Sequence, residues 1–530
     1  MIILIVILIS AAALAAAEWK WGVLSAVYDA KKLPHRLLAL LPMVAMLFTA
    51  PVFLKYFADA RDDVEYPLKG SVANYNPYIQ QFDAWEKGQL NIDFEVDSRI
   101  LELENPYDYQ ARRLAGGYYL WDRAMYDGKY YSYFGIAPIV TVYYPYWLIK
   151  GALPGDSTVM AVFIFITALF LPLALFKWAE VSGKRIPLVP LMLAAPAVFL
   201  SSGVLLVARG VSHFYYIAVI AGMAFLSAFI FFALSAAFTA EKTASRCALY
   251  ALAGVAYALL FLSRLNIAFL AAFLVVPGLW FMILRQDGKW RPVRRIVAEL
   301  ASLGVPVAAA LCFSLWFNAA RFSGPLDFGT NYQLTIADVS TYRLRLSDLP
   351  FALYNYFLAP AEACESYPYI TFTRFGAAPS HYVYRDANLG LFCFPLTLGG
   401  IAAPFVICSQ RESARTRVMT GSALLGIIVV AWLDFCKGGV IYRYTADLTL
   451  TASFLAAAVL LILLGNVMGS EKTSAWVRWT VYAAVCAGFI FSFAAALRVS
   501  LINGHSYISD IPDNVLEFFE KILPFAKITK

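Results

Sequence analysis

The chain has 530 residues, 61% of them hydrophobic and only 15% charged, with a mean hydropathy of +0.66. Its apolar runs repeatedly reach the ~20 residues that cross a roughly 30 Å hydrocarbon core, so the sequence describes a polytopic membrane protein. The formal charge of +7 does not indicate nucleic acid, because the basic residues sit in short loops between apolar segments, where the positive-inside bias puts them. The seven cysteines include no C-x-x-C pair, and only Cys364 falls in a long loop, so neither a disulfide framework nor a zinc site is indicated.

Taken in chain order, the first apolar run, Ile2 to Ala17, resembles a signal-peptide core but lacks a basic n-region, and it is read as a first membrane helix. Further apolar segments run 37–55, 135–152, 158–177, 186–207, 211–237, 246–262, 266–284, 296–320, 389–408, 418–436, 443–466 and 477–498, which makes thirteen candidates. The basic stretch RQDGKWRPVRR at 285–295 marks the inner side, supported by SQRESARTR at 409–417 and by Lys31, Lys32 and Arg36. Two long loops, 56–133 and 321–388, and the tail 499–530 then face outward.

Counting crossings exposes a conflict. The loop at 18–36 places 56–133 outside, whereas alternating backward from Arg285 places it inside, so one candidate does not cross. Two are interrupted by proline: 135–152 by Pro138 and Pro145, and 186–207 by Pro187, Pro190 and Pro196. The expectation is an all-α fold of about 12 to 13 transmembrane helices, with twelve full crossings and one incomplete. No repeat or low-complexity linker divides it, so residues 1–530 are read as one integral membrane domain.

The chemistry-bearing residues concentrate in the outer loops. The first carries RDDVE at 61–65, a sequence FDAWEKGQL, then ENPYDYQARR, and finally WDRAMYDGKYYSYFGIAP against the start of an apolar run. Adjacent carboxylates such as Asp62 and Asp63 repel, which favours protonation of one of them or a shared divalent cation, Mg or Mn. The aromatic residues of such a loop equally suit an amphipathic lid at headgroup depth.

These loops resemble those of bacterial membrane glycosyltransferases of the GT-C fold, a superfamily that includes protein O-mannosyltransferases, aminoarabinose transferases and the catalytic subunit of oligosaccharyltransferase. The likeness lies in the acidic first loop after an outward helix, FDAWEKGQL, NPYD, a downstream arginine and DGKYYSYFGIAP, and it extends to ARFSGPLDFGTNYQL at 320–334 and YRYTADL at 442–448. It spans most of the chain on loose motifs. It implies transfer of a sugar from a polyprenyl-phosphate donor to a glycan, lipid or protein acceptor at the outer face of a bacterial plasma membrane.

On that resemblance, Asp62 or Asp63 is expected as general base or metal ligand, with Asp83 as the reserve. Asp122 is expected to orient a cation. Arg112, Arg113, Lys129, Arg374, His381 and Arg443 are the candidates for phosphate, and Tyr130 and Tyr131 for the sugar. Arg209 and Arg264 interrupt apolar sequence at outer helix ends, where a charge is costly unless paired or facing water, so they are expected to line the cavity. Arg443 and Asp447 stand four residues apart on one helical face and are expected to form an internal ion pair. The competing reading is a transporter or flippase of a lipid-linked or small polar substrate, which shares the many crossings but would place ionisable groups at midplane in related halves. A noncatalytic scaffold is a third.

Overall fold

The computed structural model describes residue 22 and residues 24–502, apart from 58–62, 209–212, 239–241, 287–288, 366–367, 374–375 and 382. The first apolar run and the tail beyond residue 502 therefore lie outside the described residues. Among those described, eight helices are long and apolar enough to cross a membrane: Asp156–Val181, Leu188–Ala208, Phe214–Phe238, Thr243–Ser263, Val293–Ala319, Ala414–Gly438, Tyr442–Met468 and Ala475–Ser500. The chain is an integral membrane protein. The helices around 188–208, 214–238 and 442–468 form the buried centre, whereas 293–319 and 475–500 are peripheral.

The eight fall short of the thirteen apolar candidates for identifiable reasons. Leu33–Leu47, Leu265–Phe281 and Pro395–Ile407 are shorter apolar helices. In the last of these the chain is largely 3-10, Pro395–Ala402, before one α-turn, Ala403–Ile407; a 3-10 helix rises ~2.0 Å per residue against ~1.5 Å, so fewer residues cover a given depth. The segment 135–152 is the one that does not cross. It folds as a π-helical turn Ile139–Tyr143 followed by the short helix Tyr144–Lys150, closed by Gly151 at φ 70°. The strand that follows, Ala152–Leu153, pairs antiparallel with Val64–Glu65, Val64 opposite Leu153. Residues 64 and 153 therefore lie side by side at one end of the bundle, so the chain between them makes no net crossing, and of the two proline-bearing segments it is 135–152 rather than 186–207 that falls in this stretch.

The ends of the bundle opposite this loop are tied by charge. Lys184 bonds Glu412 at 2.9 Å and Asn466 at 2.9 Å, which joins three helix ends. Glu299, fully buried, accepts from Arg246 at 3.0 Å and from Arg291 at 2.6 Å. Such shared pairing is what allows a carboxylate to sit inside an apolar bundle.

The long loops are built on local capping. Asn76 caps Pro77–Glu86 by accepting from the amides of Tyr78 and Ile79, with proline in the first turn where no amide hydrogen is needed. Asp108 caps Tyr109–Ala115, which ends at Gly116 in the left-handed region at φ 66°. A hairpin follows, Ala124–Tyr126 paired with Lys129–Tyr131. Beyond the 293–319 helix, the second loop returns to this hairpin: the Asp122 amide donates to Leu334 O at 3.1 Å, and the Leu334 amide to Arg123 O at 2.9 Å.

Candidate functional site

A cavity of about 1130 Å³ opens where the two long loops meet the helix ends. One wall is apolar and belongs to the helices: Phe269, Phe313, Phe317, Val430 and Leu433. Phe269 is 45% exposed. The opposite wall is polar and comes from the loops, with Trp121, Asp122, Tyr384 and Asp386. Asp122, Arg264, Arg321, Asp386, Asp434, Lys437 and Arg443 supply its charges.

At its centre, Asp122 is held in the left-handed backbone region at φ 54°, which is costly for a non-glycine residue and is fixed here by the Leu334 bond. Its side chain accepts a short hydrogen bond from the Tyr215 hydroxyl. The Arg443 guanidinium lies over the same Tyr215 ring, 4.9 Å from its centroid, and 5.3 Å from the Tyr444 ring. Arg443 makes no hydrogen bond or ion pair with another described residue. Asp122, Tyr215 and Arg443 thus form a row of carboxylate, phenol and unclaimed cation along the cavity.

Arg264 sits at the single residue between two apolar helices, Thr243–Ser263 and Leu265–Gly278, with φ −147° and ψ 100°. This extended corner carries its side chain onto Asp447, with contacts of 2.9, 2.9 and 2.7 Å. The expected Arg443–Asp447 pair is corrected accordingly: Asp447 is claimed by Arg264, because a bidentate fork from a neighbouring helix outcompetes a same-helix neighbour four residues away. Asn266 joins the cluster, donating to Asp434 at 2.6 Å and to Asp447 at 3.4 Å.

Of the residues singled out in the sequence, the cavity brings together Asp122, Arg264 and Arg443. Others are placed elsewhere. Asp63 is exposed and accepts from the Tyr146 hydroxyl at 2.6 Å. Asp83 is buried and pairs with Lys87 at 2.9 Å. Neither lines the cavity. Arg112 is fully buried in the loop, donating to Pro106 O at 2.7 Å and to Thr335 O, 4.9 Å from the Tyr119 ring. Arg113 and Lys129 are exposed. Tyr130 and Tyr131 pack in two small loop cores, Tyr131 against Phe322 at 5.4 Å. His381 bonds Asp348 at 3.0 Å. Asp62, Arg209 and Arg374 lie outside the described residues.

Asp122 was expected to orient Lys129 or an arginine; it is bonded to Tyr215 instead. The cavity residues Tyr215, Asn266, Arg321, Asp386, Asp434 and Lys437 were not singled out. Asp434 and Asn266 carried a signal, being polar residues within apolar runs, and Arg321 stands in the quoted ARFSGPLDFGTNYQL stretch; Tyr215 carried none. A divalent cation finds no ready site: among the described residues no group of three or more His, Cys, Asp or Glu side chains converges, and Asp63 is occupied by Tyr146.

No protein-family model matches this chain, and no curated protein matches it. Among solved structures, the chain is similar to the apo form of the Archaeoglobus fulgidus oligosaccharyltransferase, at 12% identity and a TM-score of 0.36, over 88% of this chain and 57% of that one. It is also similar to the oligosaccharyltransferase AglB of the same organism in complex with an inhibitory peptide and a dolichol-phosphate, at 12% identity and a TM-score of 0.39, over 88% and 56%. The chain spans a little more than half the length of those proteins.

Proposed function

We propose that this protein is a membrane glycosyltransferase that moves a sugar from a polyprenyl-phosphate donor to an acceptor in a cavity on the outer side of a bacterial plasma membrane. The observation that carries this reading is the row Asp122, Tyr215, Arg443 beside the cavity's apolar wall. An isoprenoid tail suits the wall of Phe269, Phe313 and Phe317, and a phosphate suits a guanidinium with no other ionic partner. Asp122 then stands about one phenol ring away, where a carboxylate takes the acceptor's proton as its oxygen attacks the sugar carbon and the phosphate leaves. Tyr215 holds Asp122 in place by donating to it.

Sidedness rests on the basic segments. Arg291 and Arg415 belong to the face with Lys184 and Glu412, which is the inner side by the positive-inside bias, and the cavity lies at the other end. On this reading the three shorter apolar helices also cross, and with the first apolar run they complete twelve crossings. The Lys184–Glu412–Asn466 network ties three helix ends together at the inner end, away from the cavity.

The test is sugar transfer by protein in lipid nanodiscs, supplied with a labelled polyprenyl-phosphate sugar and an envelope extract. Asp122→Asn should lower turnover by about 100- to 10,000-fold with donor binding retained, and Arg443→Gln should weaken donor binding. Near-full activity in Asp122→Asn would refute the assignment. Movement of the donor across the bilayer without any transfer would favour the flippase instead.

A further inference from the structure

The loop wall of the cavity carries features that the transfer step does not use. Arg321, just past the 293–319 helix, is 7% exposed and lines the cavity. Its guanidinium lies 3.6 Å from the Phe317 ring centroid. It donates to Ser132 O at 2.6 Å, Phe317 O at 3.1 Å and Asn318 Oδ1 at 3.3 Å, all neutral groups. No carboxylate among the described residues pairs with it. A buried cation without a counter-charge costs free energy unless an anion arrives.

Beside it, Thr330, Asn331 and Gln333 line the same cavity, and their side chains make no hydrogen bond with another described residue. The backbone at the end of this stretch is clamped: the Asp122 amide bonds Leu334 O, the Leu334 amide bonds Arg123 O, and Gln333 bridges Ala124. Trp121 stands on the same clamp, 43% exposed, with Arg123 donating to its carbonyl at 2.9 Å. The wall therefore offers amides and a hydroxyl that both donate and accept, a partly exposed indole edged by Tyr109 and Tyr119, and one unneutralised cation. Hydroxyl-rich rings need that mixture. A peptide strand would need free backbone groups, and here Leu334 has already spent its amide and carbonyl on the hairpin.

We propose that this wall binds the acceptor, and that the acceptor is an acidic glycan whose carboxylate or phosphate pairs with Arg321 while a sugar ring stacks on Trp121. The assignment rests on the glycosyltransferase reading for the word acceptor, but the binding itself does not.

Its test uses the full chain in nanodiscs without donor, with a uronate oligosaccharide, its carboxyl-reduced neutral counterpart and polyglutamate as probes, read by calorimetry. The uronate should bind at least ~10-fold tighter than the neutral sugar, the margin expected of one charge-assisted pair, and that margin should shrink as salt rises. Arg321→Gln should abolish the margin, Arg321→Lys should keep part of it, and Arg443→Gln should leave it intact. Trp121→Ala should weaken both sugars alike. If Arg321→Gln fails to fold, Arg321→Lys and the salt dependence of the wild type still decide. A margin that survives Arg321→Gln, one that is lost in Arg443→Gln instead, or equal binding of polyglutamate overturns the proposal. Acid-selective binding in a protein that transfers no sugar would fail the transferase reading and leave this wall standing; transfer to neutral and acidic acceptors alike would do the reverse.

Discussion

Removing either partner of the Arg264–Asp447 pair should be among the most damaging single changes outside the chemistry. Asp447 is fully buried, and three contacts of 2.7 to 2.9 Å join it to Arg264. Two unit charges about 4 Å apart at an effective dielectric of ~20 attract by about 4 kcal/mol, and breaking a buried pair typically costs ~3 to 5 kcal/mol because one charge is stranded. The two halves differ. Without Asp447, Arg264 still has Asp434 nearby through Asn266; without Arg264, two carboxylates share one amide. Arg264→Met should therefore cost at least as much as Asp447→Leu, and the double substitution should recover most of the loss, since an apolar pair of similar size carries no desolvation cost. Equilibrium unfolding in mixed micelles would measure this, as a double-mutant cycle. The expected coupling is above ~2 kcal/mol for positions 264 and 447, and below ~1 kcal/mol for 443 and 447. Coupling at 443 and 447 as large as at 264 and 447 would refute the placement of the pair and with it the freedom of Arg443.

Other substitutions separate the cavity from its surroundings. Asp83→Asn should lower stability by ~1 to 3 kcal/mol, because the buried carboxylate loses its pairing with the exposed Lys87, while leaving turnover per folded molecule unchanged, and Asp63→Asn should do little to either, measured by thermal unfolding beside the transfer assay. Lys129→Ala and Arg113→Ala, both exposed, should keep donor affinity within about twofold, in contrast to Arg443→Gln. Gly135→Ala should destabilise by ~1 to 3 kcal/mol, because a methyl group there collides with the carbonyl oxygens of Leu262 and Ser263 at the Arg264 corner, whereas Gly304→Ala, with open space around it, should be neutral or better. Single cysteines at 63 and 381 should react with an impermeant thiol reagent in intact cells, and cysteines at 291 and 415 only after lysis; labelling of 63 and 291 from one side would overturn the topology.

The membrane class and most of the helices were legible because crossing a bilayer imposes a length and a composition that any apolar run displays. The proline-bearing segment 135–152 was legible as one of two suspects; only the pairing of Val64 with Leu153, a contact between residues 89 positions apart in sequence, chose between them. Arg264 stood out as a charge at an apolar helix end. Its partner did not, because a four-residue spacing on one helix predicts Arg443 while the corner that aims Arg264 at Asp447 is a backbone property with no sequence signature. The loop acids misled for a related reason: a carboxylate is equally visible in the sequence whether it meets a lysine, as Asp83 does, or faces the cavity, as Asp122 does. Tyr215 has ordinary neighbours and becomes notable only where folding leaves it, and Arg321, though inside the quoted stretch at 320–334, shows its lack of a counter-charge only in the fold.

The short ladder between Val64–Glu65 and Ala152–Leu153 has a consequence for how such a chain can vary. Everything from residue 66 to residue 151 departs from and returns to one doorway. To the helices below, that stretch is a detour of almost no net displacement, and apart from the Pro77–Glu86 helix and residues 137–143, which pack into the main core, its length is free to grow or shrink without changing which way any later helix runs. Loop closure adds only ~0.6 kcal/mol for each doubling of such a detour. Recognition carried by Trp121 and its neighbours is thereby separable from insertion, as long as the segments that pack into the core are kept.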